Sequence, residues 1–116
     1  MKLIELRCIP IEPGTQPLSP DEAKPLFGQI TGWSMNKNEL RREFKLKDFR
    51  KAVDFVNEVA GIANAQDHHP DITISYNRVT LVLTTHKIKG LSINDFIVAA
   101  RIDGMATRVI SNEKAA

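Results

Sequence analysis

The sequence predicts an α+β fold, a two-layer domain in which a four-stranded antiparallel sheet carries its helices on one face, in the order ββαββα after an N-terminal arm and a short helix. Three observations predict it. Residues 32–46 and 72–83 alternate apolar and polar side chains with the period of a strand, and each stretch holds a turn, so each folds back as an antiparallel hairpin. Residues from about 49 to 65 and from about 93 to 110 repeat their apolar positions with helical period instead. Each hairpin keeps one wet face, which leaves a single apolar face for helices to cover. The duplicated ββα order also suits a pseudo-symmetric layout, without any internal sequence repeat.

Residues 1–18 contain three prolines and a glycine after a short alternating start, and read as an arm lying along the domain with one edge strand. Residues 19–116 then form one domain. In "SPDE", Ser19 is the N-cap, Pro20 takes the first helical position and Glu22 completes a capping box; the helix spans about 20–27, strained by Pro25 and closed by Gly28. The first hairpin turns at Asn36-Lys37-Asn38 and sets Leu40, Phe44 and Leu46 on its buried face. Asp48 caps the next helix, whose stripe is Phe49, Ala52, Val53, Val56, Ala60 and Ala63. In the second hairpin Ile72, Ile74 and Tyr76 face Leu83, Leu81 and Val79 across an Asn77-Arg78 turn, so that all six point to the core. Ser92 caps the last helix with Asp95 at its third position, Leu91 and Phe96 form a hydrophobic staple, and Ile97, Ala100 and Val109 continue the stripe.

At 116 residues the chain has room for one modest core. Hydrophobic residues at 42% and charged residues at 26% match a globular protein and exclude disordered and fibrous classes. A net charge of +2 gives no electrostatic reason to expect a nucleic-acid partner. The basic stretch "RREFKLKDFRK" at 41–51 reads as a solvated strand and helix face. The single Cys8 cannot close an intramolecular disulfide, no apolar run reaches the ~20 residues of a membrane span, and the N-terminus lacks a secretory h-region. A reduced, cytoplasmic setting without membrane contact is expected.

Two of the three histidines stand together in "QDHHP" at 66–70. Extending the second hairpin to its open end sets Asp71 across from Thr84 and His69 across from His86, where opposite Cβ atoms lie ~5 Å apart, so all three histidines converge. His86 shares its strand face with Thr84, Val82 and Thr80, opposite the core, and should reach a cleft. Bland readings compete: a solvated loop for the pair, a helix-capping acid for Asp95, a helix-end residue for Asp67, a core aromatic for Trp33. Three histidines and an aspartate also have the donor types of a zinc or iron site, but neither a His-x-His nor a His-x-x-Glu spacing is present. Metal-free proton transfer suits several imidazoles around one pocket better, with Trp33 as a wall for a flat ligand.

The residues that carry chemistry follow one pattern: His68-His69-Pro70, five residues, Tyr76, nine residues, His86, eight residues, Asp95. This resembles the signature of the pterin-4a-carbinolamine dehydratases. Weaker agreement at "LSPDE", at Gly32-Trp33 and at "FKLKDFRKAVDFV" extends the likeness over about residues 18–110. The resemblance implies a two-layer fold, a homodimer or homotetramer, no metal or organic cofactor, and dehydration of 4a-hydroxytetrahydropterin to quinonoid dihydropterin in tetrahydrobiopterin recycling beside an aromatic amino-acid hydroxylase. It also implies that His68, His69 and His86 are the active-site histidines and that Asp95 supports the site. Substrate contacts would come from Asp67, Trp33, Thr84, Thr85 and Lys87 together with the histidines. His68 and His86 are expected as acid and base, His69 as a ring holder, and Asp95 as the carboxylate orienting His86. Asn64 and Asn94 depart from residues carried by some relatives, at places expected to act on which pterin side chain is accepted.

Two rival functions remain open. Animal members of the family double as dimerisation partners of a transcription factor, so a non-catalytic binding module is one. Service to another pterin, such as one linked to molybdenum enzymes, is the second. Retention of all three histidines and Asp95 favours the enzyme, because a scaffold has no physical need of them.

Overall fold

The structure, a computed structural model, describes residues 1–115, with side chains described through residue 110. Its elements are α1 (Pro20–Phe27), β1 (Ser34–Met35), β2 (Leu40–Lys45), α2 (Phe49–Gln66), β3 (Asp71–Ser75), β4 (Arg78–Leu83) and α3 (Ile93–Ala115). The four strands form one antiparallel sheet in the order β1-β2-β4-β3, as the two hairpin patterns predict.

Pairing explains the core. Leu40 lies opposite Leu83, Arg42 opposite Leu81 and Phe44 opposite Val79, so the two central strands present one apolar face. Phe55 and Val59 of α2 and Phe96, Val98 and Ile102 of α3 are fully buried with it. The opposite face pairs Glu43 with Thr80 and Lys45 with Arg78, and stays polar. Both long helices start where the sequence places them. The Asp48 carboxylate accepts the Lys51 N–H at 2.9 Å, while the Ser92 N–H donates to the Asp95 carboxylate at 2.9 Å. The Ser19–Glu22 capping box of α1 is complete.

Several expectations are corrected. The arm forms no strand; Leu3–Glu5 make a 3-10 turn that seats Leu3 in the core against α3. Together with α1 and α2, this turn packs on α3, whose residues Phe96 through Ala100 are all buried. The inward ridge of α2 runs through Ala52, Phe55, Val59 and Ala63, whereas Phe49 is exposed. That helix has two adjacent apolar ridges, and the one carrying the fully buried Phe55 turns inward. α3 continues past residue 110 to Ala115.

The second hairpin turns at Tyr76-Asn77, one residue earlier than expected, which shifts the pairing by two, so Ile72 faces Leu81 and Ile74 faces Val79. Asn77 fixes this register. Its carbonyl accepts the Leu46 N–H at 2.8 Å and its amide donates to the Leu46 carbonyl at 3.1 Å, tying the turn to the end of β2. Tyr76 takes the left-handed conformation at φ 51°. A shift of two preserves the faces, but β3 is the edge strand, and Ile72, Ile74 and Tyr76 are 36%, 37% and 66% exposed.

Candidate active site

The end of α2 positions the histidine pair. Asp67 adopts the left-handed conformation at φ 50°, its N–H donates to the Asn64 carbonyl, and the His68 N–H donates to the Ala63 carbonyl at 3.2 Å. These two bonds form a Schellman closure with aspartate where glycine is usual. The closure reverses the chain sharply and turns the following side chains back toward the start of α3. His86 arrives differently. β4 ends at Leu83, so His86 does not continue a strand; it opens a 3-10 turn, His86–Ile88, closed by the Thr85–Gly90 bridge.

Asp95 joins these elements. It is fully buried, and its carboxylate is satisfied by three donors. Oδ1 lies 2.6 Å from His68 Nε2, while Oδ2 accepts the Thr85 hydroxyl at 2.8 Å and the Ser92 N–H at 2.9 Å. Since the single Thr85 proton goes to Asp95, the Ser92 hydroxyl donates to Thr85 Oγ1 across 2.7 Å. The capping and the site-supporting readings of Asp95 are thus both realised, one by each oxygen. The partnership expected between Asp95 and His86 does not form, because the 3-10 turn carries His86 outward and the α2 closure brings His68 in.

The geometry sets the tautomers. A carboxylate only accepts, so His68 carries its proton on Nε2 and keeps a lone pair on Nδ1 when neutral. His69 donates from Nε2 to Asn64 Oδ1 at 3.0 Å, which likewise leaves Nδ1 bare. Among the described residues His86 has no hydrogen-bond partner for its ring.

A cavity of about 460 Å³ opens here, within the roughly 300–1,000 Å³ of small-molecule sites. Asp67, His68 and His69 line it from the α2 closure, and Thr84, Thr85, His86 and Lys87 from the segment after β4. All three histidines therefore border one space. Trp33 does not line it. Its indole is buried against Phe44 at 6.5 Å, and its N–H donates at 2.7 Å to Asp103, which also pairs with Arg42. Burial pushes the Asp103 carboxyl above its ordinary pKa despite these bonds. Among the described residues no three His, Cys, Asp or Glu side chains gather closely enough to hold a metal ion.

The remaining wall could not be read from residue types. It comes from Cys8, Ile9, Pro10 and Ile11 of the arm, with Gln66 and Asn94 behind them. The stretch "RCIP" at 7–10 resembles the arm of a bacterial subgroup of the family but carries no chemical role in its residue types, and only the fold brings the arm across the site.

A small α+β domain with a histidine-lined cavity backed by a buried carboxylate has the side chains and the space that proton transfer to and from a small ligand requires. Residues 16–105 match the sequence profile of the family described as Pterin 4 alpha carbinolamine dehydratase, and the chain belongs to that family. A relative from Rubrobacter xylanophilus named for pterin-4-alpha-carbinolamine dehydratase is 42% identical over 103 residues, 88% of this chain and 96% of its own. One from Nitrosospira multiformis with the same name is 46% identical over 97 residues, 84% of this chain and 86% of its own. Among solved structures, the transcriptional coactivator/pterin dehydratase from Brucella melitensis superposes with a TM-score of 0.73 at 31% identity, covering 78% of this chain and 99% of that one. A pterin dehydratase-like RuBisCO assembly factor of the alpha-carboxysome, at 19% identity and a TM-score of 0.53, shares the fold alone; it covers 64% of this chain and 86% of its own.

Proposed function

We propose that this chain is a hydro-lyase that dehydrates 4a-hydroxytetrahydropterin to quinonoid dihydropterin and water, in tetrahydrobiopterin recycling. The observation that carries this reading is the convergence of three histidines on one cavity, one of them held by a buried carboxylate, in a chain of this family. The reaction asks for nothing else. The C4a–O bond breaks as its hydroxyl takes a proton and leaves as water, while N5–H gives up its proton and the N5 electron pair closes the C4a=N5 bond.

His68 is the better base. With Nε2 donating to Asp95, its Nδ1 lone pair can accept the N5 proton, and Asp95 stabilises the imidazolium that forms. His86, whose ring has no partner among the described residues, supplies the proton to the leaving oxygen from the segment after β4. His69 and Asp67 hold the ring system, and Thr84 and Lys87 add polar contacts on its far rim.

The test is turnover and binding in parallel for His68→Ala, His69→Ala and His86→Ala. Loss of about 10²–10⁴ in kcat with pterin affinity kept is expected for His68 and His86, the range of general acid–base catalysis. His69→Ala should act mainly on KM. Loss of kcat in His69→Ala alone, with binding intact, would overturn the assignment.

A further inference from the structure

We propose that the arm segment Cys8–Ile11, clasped by Gln66 and Asn94, is the wall that selects the substituent carried by the pterin ring; this rests on reading the cavity as a pterin site. The segment lies outside the residues matched by the family profile, 16–105, so the shared domain alone does not supply this wall.

The arm's backbone is held by side chains. The Cys8 N–H donates to Gln66 Oε1 at 2.8 Å. The Ile9 N–H donates to Asn94 Oδ1 at 3.0 Å, and Asn94 Nδ2 donates to the Ile9 carbonyl at 2.6 Å, a two-point clasp. Just before it, Arg101 donates to the Leu6 carbonyl at 2.6 Å and 3.2 Å. With the Cys8 N–H and both backbone groups of Ile9 taken up by Gln66 and Asn94, the side chains that the arm adds to the cavity lining are uncharged, two of them isoleucine and one proline. The rest of the lining, which includes Asp67, the three histidines and Lys87, is polar.

A pterin divides in the same way. Its fused rings carry donors and acceptors along their edges, and the substituent at C6 is the part that varies. The ring belongs on the polar rim and the substituent on the arm. Asn94 directly precedes Asp95 and Gln66 stands two residues before His68, so the residues that clasp the wall sit on the elements that set the His68–Asp95 pair. The position of the wall is thereby fixed relative to the reacting atoms. Asn94 and Gln66 are positioning residues, and the wall favours a short uncharged substituent.

The experiment compares 4a-hydroxytetrahydropterins bearing hydrogen or propyl at C6 in the wild-type chain, Asn94→Ala and Ile11→Ala, with Cys8 alkylation as a reporter of arm docking. The ratio of kcat/KM for propyl over hydrogen should fall about tenfold in both variants, about 1.4 kcal/mol, through KM with kcat kept. Cys8 should alkylate faster in Asn94→Ala. An unchanged ratio with faster alkylation would overturn the wall, and unchanged alkylation would overturn the clasp. Should the wild-type chain dehydrate neither substrate, the proposed activity fails. Equilibrium binding of the two reduced pterins then decides separately: a propyl preference lost in both variants supports the wall, and no preference overturns it.

Discussion

Asp95 performs two tasks that are usually divided between residues, closing the first turn of α3 through Oδ2 and holding His68 through Oδ1. Asn at this position should separate them. One amide oxygen can still accept from Ser92 and Thr85, but the amide NH₂ then faces His68 Nε2 and forces the imidazole proton onto Nδ1. The lone pair that takes the N5 proton is lost. We expect Asp95→Asn to keep its circular dichroism spectrum and to lose at least about 10² in kcat. Retained kcat would show that Asp95 serves only the helix. At Asp67 the opposite balance holds, because its left-handed backbone costs stability that glycine would not lose. Asp67→Gly should raise Tm, by up to about 1 kcal/mol of stability, and raise KM for the pterin. The identities of both acids were legible in the sequence, Asp95 as the end of a spaced pattern and Asp67 beside the histidine pair. The partner of Asp95 was not, since choosing between His68 and His86 requires knowing that β4 stops at Leu83 and hands His86 to a 3-10 turn.

At the scale of elements, the strands and helices follow from periodicity and caps, and Ser19, Asp48 and Ser92 each mark a helix start. The second hairpin slipped by two residues because its turn is held by Leu46, a contact 31 positions away that alternation cannot report. The edge strand expected within the arm does not form for a related reason: Leu3 is drawn into the core by α3, a tertiary effect. Two measurements probe how the arm is held. A Cβ at Gly90 would lie 2.7 Å from Pro17 Cβ, too close for either rigid neighbour, so Gly90→Ala should lower stability by about 1–3 kcal/mol in denaturant titration. An unchanged midpoint would mean that the arm lifts there freely. Burial, with the Asp95 charge adding and Arg101 opposing, pushes the Cys8 thiol up to about 11. A raised thiol pKa in the folded chain means that the unfolded chain loses the proton first. The stability held by the neutral thiol is therefore complete below about pH 8.5 and is lost as pH rises toward about 11. Alkylation of Cys8 should accordingly keep climbing past pH 9; a plateau near pH 9 would indicate an undocked arm.

For the molecule as a whole, the layers explain where the site must lie. α3 packs against α2 and the 3-10 turn of the arm and shares the core with the sheet, and the cavity opens where its first turn meets the end of α2 and the exit of β4. Among the described residues no helix is long and apolar enough to cross a membrane. The edge strand β3 is the unfinished part, with Ile72 and Ile74 on the face of Leu81 and Val79 yet partly exposed, and Tyr76 exposed in the turn beside them. This supports the homo-oligomer that the family resemblance implies. Sedimentation should give a dimer or tetramer that Ile74→Lys converts to monomer, and a monomeric wild-type chain would contradict it. The central claim is the activity of the cavity itself. It is tested most directly by the rate of 4a-hydroxytetrahydropterin dehydration with and without the purified wild-type chain, in EDTA. Acceleration well above the spontaneous reaction, left intact by the chelator, is expected; a rate equal to the spontaneous one would contradict a catalytic cavity.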